Sequence, residues 1–404
     1  MEEKNIQVYS YRWIVLLLFM FANITMQILW ISFATVTLEA TAFYGVEEFD
    51  ILLLSMIFMI VYIPVTFLAS WVISKYGLRI GAGIGALLGG IFGLLRFFTG
   101  GDYTLVLIFQ LGIAIGQPFI LNSITKLSAN WFPESERTTA TGLSTLSQFV
   151  GIMLGMLLTP FIVLGTSFEI MILTYGILAL ISGLLFVIFV KDKPPTPPSY
   201  ELITEQIPMG ESLRRLFKNR VFLILIILFF IGLGTFNMIT TYIELIVIPK
   251  SPSFDATFAG ILGALMLIGG IIGCIVMSGL SDKFQKRKPL IISSTFLATI
   301  SLIIITFTSD GAILLIFGFI FGFGLLSAAP VALEYAVEIT KPVPESHSNG
   351  MLLMIGQIGG IIFILGMEEL KLPSGDYLPA LLIQSILAAI LFVLSLFLKE
   401  KASK

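Results

Sequence analysis

The sequence holds almost nothing with which to cross-link, chelate or catalyse. It has one cysteine and one histidine in 404 residues. A single Cys274 cannot build a disulfide framework. A lone His347 supplies no His/Cys metal cluster and no nucleophile–base pair, so an enzyme is not expected, and neither a metal nor a cofactor is called for. A Walker loop is absent, which argues against an ATP-driven pump half. Charge is scarce as well: 12% of residues are charged and 57% are hydrophobic, with a mean hydropathy of +1.01. That composition suits neither a soluble protein nor a nucleic-acid partner. No Asn-x-Ser/Thr site falls in an outer loop, because Asn23-Ile24-Thr25 lies inside an apolar run. No cleavable leader is expected either. Residues 1–11 are polar, and the run behind them is too long for a signal segment.

What fills the chain is apolar runs of about 20 residues, the length that crosses a ~30 Å hydrocarbon core. The expected spans are 13–39, 50–74, 80–99, 103–127, 138–164 and 168–190, then 219–248, 256–281, 288–308, 311–338, 348–368 and 377–398. Between the sixth and seventh lies a polar, Pro-rich stretch. Proline there cannot continue a helix. The organisation expected is an N-terminal six-helix bundle (1–190), a cytoplasmic linker (191–218) and a C-terminal six-helix bundle (219–404). Residues 211–220, with Arg214, Arg215, Lys218 and Arg220, read either as a surface amphipathic helix or as a solvated basic loop.

Basic residues set the orientation. With a cytoplasmic N-terminus, twenty of the 23 Lys and Arg fall inside, and only Arg96, Lys250 and Lys371 fall outside. The positive-inside rule therefore supports about twelve spans with both termini cytoplasmic. Short loops without glycosylation sites point to a prokaryotic cytoplasmic membrane. A monomer is expected.

The halves also resemble each other. The second span ends in ASWVISKYGLRI and the eighth in MSGLSDKFQKRKPLI. The offset from Ser74 to Asp282 brings Trp30 close to Asn237 in the other half. Paired six-helix halves and this loop resemble the major facilitator superfamily, an all-α integral membrane fold of twelve transmembrane helices in two pseudo-symmetric bundles. In the family pattern Gly-x-x-x-Asp-x-x-Gly-x-Arg, this chain keeps Gly77 and Arg79 but has Ser70 and Ser74. The second copy keeps Asp282 and Arg287, with Ser278 and Gln285 at the glycine positions. The resemblance implies that this loop latches the cytoplasmic side, and Ser74 puts the first copy in question.

Further stretches resemble the feline leukaemia virus subgroup C receptor family of choline and haem-linked transporters. They include Trp30-Ile31 with Phe43-Tyr44-Gly45-Val46, then LSMIFMIVYIP, then Gln117 with Phe119-Ile120-Leu121 and Trp131-Phe132. Later come Pro330, Glu334, Ala336-Val337-Glu338, Thr340 and Pro342, and finally Gly350 and Gln357. This resemblance implies a quaternary ammonium surrounded by Trp30, an aromatic pair in the seventh span, and glutamines at 117 and 357. Here that pair is Phe236-Asn237, so one wall of the cage is replaced by an amide. A cation over an indole gains up to ~2 kcal/mol when desolvated.

Read without the family, Trp30, Gln117, Asn237 and Gln357 sit near mid-depth, Trp30 just outward of it. Buried polar groups line a cavity or bridge helices, and Asn23, Gln27 and Gln148 share both readings. No titratable side chain is expected at mid-depth. Glu39 and Glu244 fall at outer span ends, where they concentrate cations or are simply solvated. Glu334 and Glu338 lie one turn apart, as an inner gate with Lys126, Arg137 or Lys341 or as a solvated helix end. The function expected is facilitated, alternating-access transport of a small cationic or polar amine such as choline or ethanolamine. A proton-coupled exporter of drugs or organic anions, and a non-transporting receptor, are the alternatives.

Overall fold

Leu17, Phe98, Phe307 and Phe397 each leave more than half their surface outside the protein, while many hydroxyls and amides lie buried among the apolar side chains of the interior. A water-soluble fold would invert that distribution, because lipid tails solvate apolar side chains and cannot solvate polar ones. The computed structural model describes residues 7–198, 208–284 and 286–399; the side chain of Asp282 also lies outside the described set. So do Lys4, Lys401, Lys404, Gln285 and the linker stretch 199–207. The chain divides into two compact units, Met1–Ile203 and Thr204–Lys404.

The first unit contains α1 (Tyr11–Ile31), α2 (Thr37–Tyr44), α3 (Glu48–Leu95), α4 (Tyr103–Leu121), α5 (Ile124–Trp131), α6 (Glu134–Gly165) and α7 (Phe168–Phe189). The second contains α8 (Met209–Lys218), α9 (Arg220–Val247), α10 (Ala256–Phe284), α11 (Lys288–Phe307), α12 (Gly311–Thr340), α13 (Glu345–Glu369) and α14 (Leu378–Leu396). Among the described residues, 11 helices are long and apolar enough to cross a membrane. One of them, α3, is two spans joined end to end. Its backbone leaves helical geometry at Gly77, with φ 89° and ψ −179°. The chain reverses there: a Cβ on Gly81 would lie 2.5 Å from Ile73 Cγ1. The expected second and third spans are therefore both present.

Polar caps begin several spans. Asp102 accepts from Leu105 N, Ser167 from Ile170 N, Asn219 from Val221 and Phe222 N, and Asp310 from Ile313 N. Each satisfies amides that a helix start leaves bare, typically contributing about 1 kcal/mol. Inside the units, small residues let helices touch. A Cβ on Gly151 of α6 would meet the Ile24 carbonyl oxygen at 2.5 Å, so α1 and α6 meet backbone to backbone there. Buried hydroxyls add links: Thr25 to Ser182 at 2.8 Å, Thr159 to Tyr175 at 2.9 Å, and Thr306 to Ser385 at 3.1 Å. Links of this kind average about 0.6 kcal/mol in a bilayer.

Two expected spans are interrupted. The first does not run to residue 39: α1 stops at Ile31, and α2 starts only at Thr37. Ser32 Oγ bonds back to the Leu29 carbonyl and Thr37 Oγ1 to the Phe33 carbonyl. Hydroxyls that bond the backbone locally compete with helix propagation. The fourth expected span breaks at 122–123. There Asn122 turns its amide to the Thr66 carbonyl, Thr66 Oγ1 and Ser70 Oγ on α3.

The stretch expected as a linker is partly built into the units. Asn130 donates to the Asp192 carbonyl and Trp131 Nε1 to the Lys191 carbonyl, so its start docks on the first unit. Its end forms α8, a helix rather than a basic loop, seated through buried Ser212 and Leu216. His347 lies in the first turn of α13, its Nδ1 2.9 Å from Ser212 Oγ.

Candidate functional site

In the second unit, two of the expected residues meet. Asn237 on α9 donates through Nδ2 to Gln357 Oε1 on α13, at 3.1 Å. Asn237 and its neighbour Phe236 are almost wholly buried, and Gln357 is half-buried. Thr240 Oγ1 ties back the carbonyls of both Phe236 and Asn237. Close packing makes this meeting possible, since a Cβ on Gly359 would lie 2.2 Å from the Phe230 carbonyl oxygen. The result is an uncharged amide pair held between two helices in a medium that cannot solvate it.

In the first unit, Gln117 is 7% exposed and donates to Gln27 Oε1 at 3.4 Å. Gln27 donates on to Asn23 Oδ1, and Asn23 to the Ser144 carbonyl and Ser147 Oγ. A relay of amides thus crosses α4, α1 and α6, and two of the weaker sequence candidates are part of it. Gln148 is only half-buried. Trp30 sits in the last turn of α1, not near the middle of a longer span. Its indole N–H donates to the Ser55 carbonyl at 3.1 Å, and Ser55 Oγ returns a bond to the Trp30 carbonyl. Trp30 is therefore tied to α3, while Gln117 is tied to α1.

Gly77 and Arg79 of the first loop copy and Arg287 of the second make defined contacts. In the first, Gly77 adopts its positive φ against the carboxylate of Asp192, which would lie 2.1 Å from any Cβ at that position. Asp192 also accepts from Arg79 N at 3.3 Å, while the Arg79 guanidinium holds the Val187 carbonyl. The acid that Ser74 lacks is thus supplied from the end of α7. Sequence reading missed Asp192; the missing loop acid was the one signal that could have prompted a search for it. In the second copy, Arg287 is 5% exposed and contacts Ser281 Oγ, Glu334 Oε1 and, at 3.3 Å, Glu338 Oε1. Glu334 and Glu338 were expected beside Lys126, Arg137 or Lys341 or in solvent; within this unit Arg287 joins them. The Asp282 side chain lies outside the described residues.

Two charged groups are deeper than expected. Glu244 is completely buried on α9, which removes its solvated reading. Arg96, expected on the outer side at the end of the third span, is 1% exposed, because the 3-10 turn Arg96–Thr99 folds its side chain under the end of α1. There it donates to Gln110 Oε1 at 2.9 Å. Nearby Tyr44 is buried, which pushes its phenol up to about 12 although the Arg96 charge pulls the other way.

Apolar spans in two units, amides buried between helices and charged clusters at the span ends fit a multi-pass membrane transporter. The chain belongs to the Major Facilitator Superfamily, whose family model matches residues 14–364. It is 30% identical over 389 residues to Solute carrier family 49 member A3 of Xenopus tropicalis, covering 92% of this chain and 80% of that protein. It is 29% identical over 388 residues to the Choline/ethanolamine transporter FLVCR2 of Rattus norvegicus, covering 91% and 71%. The Danio rerio Choline/ethanolamine transporter flvcr2a is 28% identical over 381 residues, with 90% and 81% covered. Among solved structures, the nucleoside transporter NupG superposes with a TM-score of 0.72 at 15% identity, covering 95% and 99%. A bacterial homologue of the human lysosomal transporter Spinster, inward-facing and unoccupied, gives 0.71 at 13%, covering 96% and 98%. Those two likenesses concern the fold.

Proposed function

We propose that this transporter carries a small organic cation or polar amine, of the choline or ethanolamine class, by facilitated alternating access. Trp30, Gln117, Phe236, Asn237 and Gln357 are the substrate contacts in this reading. Gly77, Arg79, Asp282, Arg287, Glu334 and Glu338 serve the cytoplasmic latch, and both termini face the cytoplasm. The observation that carries it is the uncharged character of the two buried amide clusters, Gln117–Gln27–Asn23 and Asn237–Gln357. They offer hydrogen bonds to a hydroxyl or amine without a fixed charge to repel a cation. Relatives named choline/ethanolamine transporters, similar over about nine-tenths of the chain, support the same class. The substitution of the family's aromatic by Asn237 favours a solute with a hydrogen-bonding head over one bound by aromatic faces alone.

The test is a thermal-shift screen of the purified protein with choline, ethanolamine, carboxylates and sugars. Choline or ethanolamine raises Tm, and Trp30→Ala abolishes that rise. A response only to carboxylates or sugars would overturn the substrate class. A second reading, proton-coupled transport, is favoured by one observation, the burial of the Glu244 carboxylate within a span.

A further inference from the structure

The end of α1 poses a problem in physical chemistry. A helix leaves its last four carbonyls without intrahelical partners, and α1 stops inside the protein, beside Trp30. Three donors converge on the Leu29 carbonyl: Ser32 Oγ at 3.2 Å, Gln110 Nε2 at 3.4 Å and Arg96 Nη1 at a longer 3.5 Å. A guanidinium also suits the negative end of the helix dipole. Its Cζ lies over the Phe33 ring, 5.4 Å from the ring centre.

Burying an arginine is costly unless an anion pairs with it. Among the described residues no carboxylate does so, and Arg96 Nε and Nη2 have no hydrogen-bond partner. The short contact is instead to a neutral amide, Gln110 Oε1 at 2.9 Å. Gln110 Nε2 in turn donates to the Leu54 carbonyl at 3.0 Å. Leu29 precedes Trp30, and Leu54 precedes Ser55, whose carbonyl holds the indole N–H. The Arg96–Gln110 pair therefore grips both backbones that fix the indole, one residue upstream on each.

We infer that Arg96, acting through Gln110, is the positioning residue for Trp30. It clasps the broken end of α1 to α3 and α4, and so sets the direction of the indole. The importance of that direction rests on the proposed amine site; the clasp itself does not.

Of the chain's four tryptophans, Trp30 can be isolated by Trp13→Phe, Trp71→Phe and Trp131→Phe, so that emission reports on it alone. In that background Arg96→Gln and Gln110→Leu each shift the ligand-free emission maximum to longer wavelength. Thr159→Val removes a buried bond elsewhere in the same unit; it lowers Tm but leaves the emission in place. In the full chain, both clasp variants raise the choline KM roughly tenfold, the size of one buried hydrogen-bond link lost, with kcat little changed. Gln110→Leu keeps the test open should Arg96→Gln fail to fold. Unmoved emission in a folded clasp variant would overturn the inference. Shifted emission in a protein that never responds to choline would sustain the clasp and instead overturn the proposed substrate.

Discussion

Asn237 and Gln357 are 120 residues apart in sequence and share a hydrogen bond of 3.1 Å between α9 and α13. An amide buried in a bilayer protein is costly to leave half-satisfied, so the two behave as a unit. Asn237→Leu and Gln357→Leu each strand the partner's amide and lower stability by about 1–3 kcal/mol. The double Leu variant loses less than the sum, because no orphan remains. Thermal unfolding in one detergent measures all four proteins, and strict additivity would contradict the pairing. The double variant is also expected to lose the choline-induced rise in Tm.

Gly77 has a positive φ and a carboxylate where a side chain would go. Gly77→Ala therefore meets backbone strain and the Asp192 side chain together, at a cost of about 1–3 kcal/mol. Asp192→Ala removes only the acceptor of the Arg79 amide and costs less. Combining the two relieves the clash but not the strain, so the double variant recovers part of the loss. Tm of the purified proteins reads this order, and an Asp192→Ala loss larger than that of Gly77→Ala would refute it.

These residues show where the sequence was legible. Apolar length and the distribution of basic residues point to spans and halves, because the bilayer imposes both independently of side-chain detail. Asn237 and Gln357 were each legible as buried amides, because an amide within an apolar run must find a partner; that they partner each other was not. Asp192 and Arg96 were not. Asp192 lies in a polar stretch where an acid needs no explanation, and its role exists only once α7 ends beside Gly77. Arg96 reads as an outer-side cation at the end of the third span until a 3-10 turn tucks it inward. The break after Ile31 was hidden for a related reason: Ser32 and Thr37 are tolerated in an apolar span, and only their bonds to the backbone mark the end of the helix.

Arg287 faces two carboxylates one turn apart on α12. It is itself buried, whereas the Glu334 side chain is 48% exposed and that of Glu338 29%, so water screens much of the attraction. Arg287→Gln is expected to cost about 1 kcal/mol, less in high salt. The remaining loss comes from Glu334 and Glu338 repelling each other. Arg287→Gln with Glu334→Gln therefore regains stability over Arg287→Gln alone. Unfolding at low and high ionic strength measures both effects, and a salt-independent loss would assign Arg287 a packing role instead.

Glu244 divides the facilitative reading from the proton-coupled one. It is the carboxylate that α9 buries completely, seven residues beyond Asn237. A proton-coupled carrier must cycle such a group between charged and neutral forms, so its rate follows external pH and collapses with a protonophore. A facilitator needs no such cycle. The expectation is that choline uptake into proteoliposomes is equal at mildly acidic and neutral external pH and survives a protonophore. Glu244→Gln, which fixes the neutral form, then lowers uptake at both pH values by the same factor, as a loss of binding or packing would. If the wild-type rate instead rises with external acidity and Glu244→Gln flattens that dependence, Glu244 carries the proton and the transporter is a symporter.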